Sequence, residues 1–208
     1  MKTSLAGCKA TLEDEIQSLR KLDSVNQNQL SGGKGQILTN RQLHLLTEGL
    51  FFSAFRAYEQ FIKNIFVLYC CGLQPSRRRL VKSYLHPRTM LHVEDLVQSS
   101  MPFLDWSSPD ILLERAETYL KDGYPIKIPI TSNIDELRDL KRIRNHIAHM
   151  SKESTSEFKK TLKKHYSVVP IAIPRPGEYL LLTSRRVLNS YYLLDYFELI
   201  ARVAGQMT

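Results

Sequence analysis

Between Leu140 and His149 the chain reads Leu-Lys-Arg-Ile-Arg-Asn-His-Ile-Ala-His, which sets an arginine, an amide and two histidines within six residues of an apolar helical pattern. The guanidinium of Arg144 is a permanently charged planar fork suited to phosphate oxygens. Histidine both takes and gives a proton near neutrality. Together they suit acid–base chemistry on a phosphodiester without a metal, with His149 as the proton-transfer group, Arg144 stabilising charge and Asn145 holding the histidine or the phosphate. At about 100° per residue, Ile134, Leu137, Leu140, Ile143, Ile147, Ala148 and Met150 share one broad helix face, with Arg144 inside it roughly 40° from Leu140. An arginine there needs a partner, a carboxylate from another helix or a cleft. His149 lies about 140° further round. The pair therefore meets only if the helix ends near Ala148 or if a second copy of the chain supplies the other half, and the second copy is the favoured expectation. His146 points away from Arg144 and is a supporting candidate.

The string Arg144-Asn145-His146-Ile147-Ala148-His149 resembles the arginine, polar residue and histidine after four intervening positions that mark the HEPN superfamily of ribonucleases. The segments Leu46 to Gly72, Phe103 to Ile128 and Tyr179 to Gly205 resemble in layout the branch found in prokaryotic toxin and antiviral-defence proteins. The resemblance implies an all-α, HEPN-like helical bundle that dimerises so that two motifs face each other, and metal-independent endonuclease action on RNA, with an antitoxin or defence-system protein as a further partner. In one toxin branch a tyrosine two positions after the histidine is modified by a nucleotidyltransferase partner. Ser151 stands there in this chain, so the resemblance does not extend to that mode of neutralisation.

The whole chain sets bounds around this motif. Its 208 residues suit one domain with an arm, and 43% hydrophobic with 24% charged residues are near globular averages. The net charge of +8 and isoelectric point near 9.4 favour an anionic partner. The cations cluster at Arg77-Arg78-Arg79, Arg138 to Arg144, Lys159 to Lys164 and Arg185-Arg186, so Arg138, Lys141 and Arg142 are the candidate RNA-binding residues. Cys8, Cys70 and Cys71 lack metal-ligand spacing and read as reduced structural thiols. No cofactor and no metal is expected, because phosphate-cradling glycine loops and metal motifs are missing. No apolar run reaches the ~20 residues of a membrane helix, and no signal-peptide core opens the chain, which gives the expectation of a cytoplasmic protein without a membrane partner.

The elements that must position the motif follow from periodicity. Residues 1–39 are expected to hold a short helix through Leu12, Ile16, Leu19 and Leu22, acting as a docking arm, and a flexible Ser31–Gly35 connector; residues 40–208 form the main domain. A core helix from Asn40 to Cys71 stops at Gly72. On its shoulder, Glu59 is the candidate to orient Arg144, against a surface pair with Lys63. Further helices are expected at Val81–Tyr84, at His92–Ser99, after Ser108 or Asp110 to Gly123, at Ser156–His165 and from Ser184 onward. Loop or extended chain is expected at Pro102–Asp110 and Pro125–Pro129, and Ser132-Asn133-Ile134-Asp135 resembles a capping box. Val168–Ile173 and Tyr179–Leu182 flank Pro174-Arg175-Pro176-Gly177 as a small C-terminal β-hairpin would. Trp106 and the C-terminal tyrosines read as packing residues. Two rivals stand beside the nuclease: a non-catalytic helical module whose dimer cleft binds RNA, a nucleotide ligand or a partner protein, and a DNA-binding or nucleotide-processing enzyme.

Overall fold

A computed structural model describes residues 4–30, 38–75, 79–98 and 105–208. The Ser31–Gly35 connector, Arg77 and Arg78, Ser99 and the start of the 102–110 loop lie outside the described residues. The chain is mainly α-helical: α1 (Leu5–Leu30), α2 (Asn40–Cys70), α3 (Met90–Gln98), α4 (Pro109–Tyr119), α5 (Lys127–Ser132), α6 (Ile134–His149), α7 (Lys152–Tyr166), α8 (Pro176–Leu180) and α9 (Tyr192–Met207). Among the described residues, no helix is long and apolar enough to cross a membrane. The chain divides into two compact units, one of residues 1–13, 57–138 and 200–208, the other of residues 14–56 and 139–199. Four long helices, α1, α2, α6 and α9, contribute residues to both.

Periodicity accounts for the long helices. Leu5, Cys8, Leu12, Ile16 and Leu19 are buried at spacings of three and four, so α1 starts earlier and runs later than its sequence pattern indicated. α2 buries Phe51, Phe55, Tyr58, Ile62, Ile65 and Tyr69 and stops at Gly72, as expected. There Gly72 N–H donates to Tyr69 O (3.0 Å) and Leu73 N–H to Leu68 O (3.1 Å). This double closure needs a left-handed residue at Gly72, whose φ is +87°.

In the first unit, Phe66 and Trp106 meet with ring centroids 5.4 Å apart, so Trp106 is a packing residue. The Val81–Tyr84 segment is not helical. Ser83 forms an isolated antiparallel bridge with Leu120, and Tyr84 N–H donates to Tyr119 O (2.9 Å). Lys127–Ser132 coils into α5 where an extended link was expected. Pro129 is tolerated near the helix start because its missing N–H would have no acceptor in the first turn. Asn133 then turns its side chain back to Pro129 O (2.8 Å) and accepts from Arg202 (3.0 Å).

In the second unit the expected C-terminal β-hairpin is absent. Pro176 opens the short helix α8, whose Tyr179 and Leu180 are buried, while Val168 and Ile171 are exposed and only an isolated Thr183–Tyr191 bridge forms. Pro170 removes a ladder donor from the first expected strand, and proline at a first helical position suits α8 as well as it would suit a turn. Gly177 seats α8 on α2. A Cβ at Gly177 would fall 2.1 Å from His44 O, and its N–H donates to buried Glu48 (3.0 Å). The last helix begins at Tyr192 and not at Ser184, because Ser184 Oγ accepts from Arg186 N–H (2.9 Å) in a turn. Tyr179 and Tyr192 stack at 4.7 Å and Tyr196 packs edge-on to Phe51 at 5.6 Å, which makes these tyrosines core.

Candidate active site at the end of the motif helix

α6 ends at His149, and the chain turns through Met150, in the left-handed region at φ +46°, into α7. Ser151 caps α7 by accepting from Ser154 N–H (3.1 Å). The motif helix thus runs through His149, so Arg144 and His149 remain on one helix about 140° apart. Ala148, His149 and Met150 are exposed, so the apolar face read from the sequence closes at Ile147 and does not extend to Met150.

Arg144 is half-buried and held by its own unit. Its Nη1 donates to Asn145 Oδ1 (3.0 Å), and its guanidinium carbon lies 5.4 Å from the Phe55 ring centroid and 5.7 Å from that of Phe52. Both rings come from α2 and give the cation a negative π face. Arg144 Nε is buried without a hydrogen-bond partner among the described residues. The partners of Arg144 among the described residues are thus an amide and two rings. Asn145 orients the arginine directly. Glu59, the sequence's candidate for that task, is a half-buried residue of α2. The sequence does not mark Phe52 or Phe55 as site residues: Phe55 belongs to the four-and-three core pattern of α2, and Phe52 lies outside it.

His146 belongs to the packing. Its ring stacks on Phe158 at 4.9 Å and 22°, and Nδ1 lies 3.3 Å from Ser154 Oγ. Ser154 Oγ also lies 3.1 Å from Ser151 O, to which its hydroxyl donates. Burial holds its pKa below the ordinary histidine range, and the nearby Glu48 carboxylate opposes this without reversing it. A neutral, enclosed imidazole is the result. His149 is the solvent-facing histidine of the motif.

The motif's other cations are engaged with carboxylates. Arg138 pairs with Asp110 (2.6 Å) and Arg142 with Asp139 (2.9 Å) and Glu157 (3.3 Å). Asp139, nearly fully buried, also accepts from Lys164 (2.6 Å) and Thr161 (3.0 Å), which ties α6 to α7. Lys141 is half-buried beside them. Cys8 and Cys70 are buried thiols and Cys71 is half-buried; burial pushes Cys70 up to about 12. Among the described residues no three His, Cys, Asp or Glu side chains are grouped to hold a metal ion. No family model, curated protein or solved structure matches the chain.

Proposed function

We propose that the chain is a metal-independent endoribonuclease of the HEPN kind, acting on RNA as a homodimer whose composite site joins Arg144 and His149 from facing copies. The role in view is that of a prokaryotic toxin or antiviral-defence effector. The observation that carries the reading is the contrast along one helix. Arg144 is fixed by Asn145 and two phenylalanine rings with Nε unpaired, whereas His149 is exposed at the helix end. One is set as a rigid charge and the other is free to meet substrate. In the reaction, a histidine takes the proton of the ribose 2′-hydroxyl, the 2′-oxygen bonds to phosphorus, the P–O5′ bond breaks, and a protonated histidine gives its proton to the leaving 5′-oxygen. Arg144 offsets the charge gathered on the phosphoryl oxygens.

The chemistry fixes the products. Cleavage in excess chelator leaves a 2′,3′-cyclic phosphate or its hydrolysed form upstream and a 5′-hydroxyl downstream, and 2′-deoxy sites stay intact. Loss of cleavage on chelation, or a 5′-phosphate downstream, refutes the mechanism. A strictly monomeric species in sedimentation that still cuts RNA refutes the composite site. The second reading, a non-catalytic module that binds RNA, a nucleotide or a protein, draws on the carboxylate pairing of Arg138 and Arg142, which removes two cations from phosphate chemistry. Retention of binding with no cleavage under any condition favours it.

A further inference from the structure

Of the five lysines in α7, two are neutralised within the chain: Lys160 by Glu157 and Lys164 by Asp139. Lys152, Lys159 and Lys163 have no carboxylate partner among the described residues. At about 100° per residue these three fall within about 40° of one another, and the 1.5 Å rise spaces them about 10 Å and about 6 Å apart along the axis. The opposite side of the helix, with Ser154, Phe158, Thr161 and Leu162, is buried. Lys152 and Lys163 are exposed and Lys159 is half-buried.

This placement works against α7 itself. Lys159 and Lys163 are like charges one turn apart, and Lys152 stands in the first turn, where the helix dipole disfavours a cation. Glu153 in the same first turn eases the cost at Lys152, and the last-turn place of Lys163 suits the dipole, but no carboxylate pairs with Lys159 or Lys163 among the described residues to relieve their mutual repulsion. An external anion would. Three cations spread over about 16 Å cannot converge on one phosphate, so the fitting partner is a polyanion. A nucleic-acid backbone presents successive phosphates along a line and can meet cations spread in this way. The stripe starts three residues after His149. An anionic membrane is the weaker fit, because a membrane-binding helix offers its apolar face to lipid and that face of α7 is buried.

We propose that Lys152, Lys159 and Lys163 form the electrostatic track along which the RNA backbone reaches the His149 corner, in place of Arg138 and Arg142. The inference deepens the ribonuclease reading and rests on it.

The test uses the full chain and a fluorescein-labelled 2′-O-methyl oligonucleotide of about 20 nucleotides, which cannot be cut, with binding followed by anisotropy from 50 to 200 mM salt. Neutralising three single-strand phosphate contacts changes the slope of log K against log salt by about 2. K152Q/K159Q/K163Q should therefore lose about 2 from the slope and about 100-fold in affinity near 0.1 M salt. The corresponding triple Lys→Arg variant should keep the wild-type slope. So should K21Q/K82Q/K121Q, which carries the same charge change elsewhere. An unchanged slope in K152Q/K159Q/K163Q overturns the track and leaves the nuclease standing. Failure of the wild-type protein to bind the oligonucleotide overturns both. Binding to phosphatidylserine vesicles without binding to the oligonucleotide also overturns the proposal, in favour of a membrane surface.

Discussion

Replacing Arg144 with methionine tests whether the arginine is kept for chemistry or for packing. Its two ring contacts are worth about 1–2 kcal/mol together at half-exposed sites, and the bond to Asn145 adds about 1.5 kcal/mol. Against these stands the buried, unpaired Nε, which costs about 1–3 kcal/mol. Methionine keeps the length of the stem, removes the unpaired donor and restores about 0.3–1.5 kcal/mol of sulfur–ring contact with Phe52 and Phe55. The terms nearly cancel, leaving a net change of about 1 kcal/mol or less, which for a chain of this size is a Tm shift of roughly 2–4 °C. Arg144→Met should thus melt close to wild type in a calorimetric scan while RNA cleavage falls by at least about 100-fold, as for a lost transition-state charge partner. A drop in Tm of more than about 8 °C, about 2 kcal/mol on the same scale, makes Arg144 a structural residue. Retained cleavage in a folded Arg144→Met variant refutes its catalytic role outright.

His149→Ala should abolish cleavage with little change in stability. His146→Ala should instead destabilise the fold by about 2 kcal/mol through loss of its stack on Phe158; the reverse pattern in paired melting and cleavage assays would mean the roles are exchanged. Because burial lowers the pKa of His146, the unfolded chain binds the extra proton more readily. Stability is therefore complete above the unfolded value of about 6.5 and declines as pH falls from there toward the folded value. Tm measured from pH 7.5 to 5 should show that decline, with a shallower slope in His146→Gln; His165, lowered by burial and by Arg185, contributes the remainder in the same direction. Gly177→Ala should destabilise by about 2–3 kcal/mol, since the new methyl meets backbone at His44 that cannot move aside. A urea midpoint equal to wild type would show that α8 shifts freely.

What the sequence revealed and what it hid divide along the range of the interactions. The stop of α2 at Gly72 depends on residues within a turn or two, and local pattern suffices for it. Pro176-Gly177 defeated that kind of reading because the same residues suit a hairpin turn and a helix start. The choice is made by α2, which accepts the chain only where no Cβ intervenes. At the candidate site, the types and spacing of Arg144, Asn145 and His149 stand in the sequence, but the surroundings of the arginine do not. Phe52 and Phe55 lie about ninety positions away, and periodicity marks Phe55 as buried without saying against what. Charge clusters misled for a related reason. Arg138 and Arg142 look like phosphate ligands until Asp110, Asp139 and Glu157 are placed beside them.

The two-residue joint between α6 and α7 also bears on the order in which the chain folds. The contacts that knit these helices, Asp139 with Thr161 and Lys164, Arg142 with Glu157, and His146 with Phe158, close loops of only 12 to 25 residues. The seat of Gly177 on α2 closes one of 129 between Glu48 and Gly177. Short loops carry less closure entropy and meet early. On this ground we predict that the helical hairpin that holds Arg144 and His149 forms in the folding nucleus and the α8 clamp after the barrier. Substitutions in the Asp139 knot should slow folding, whereas those at Gly177 should speed unfolding and leave the folding rate nearly untouched.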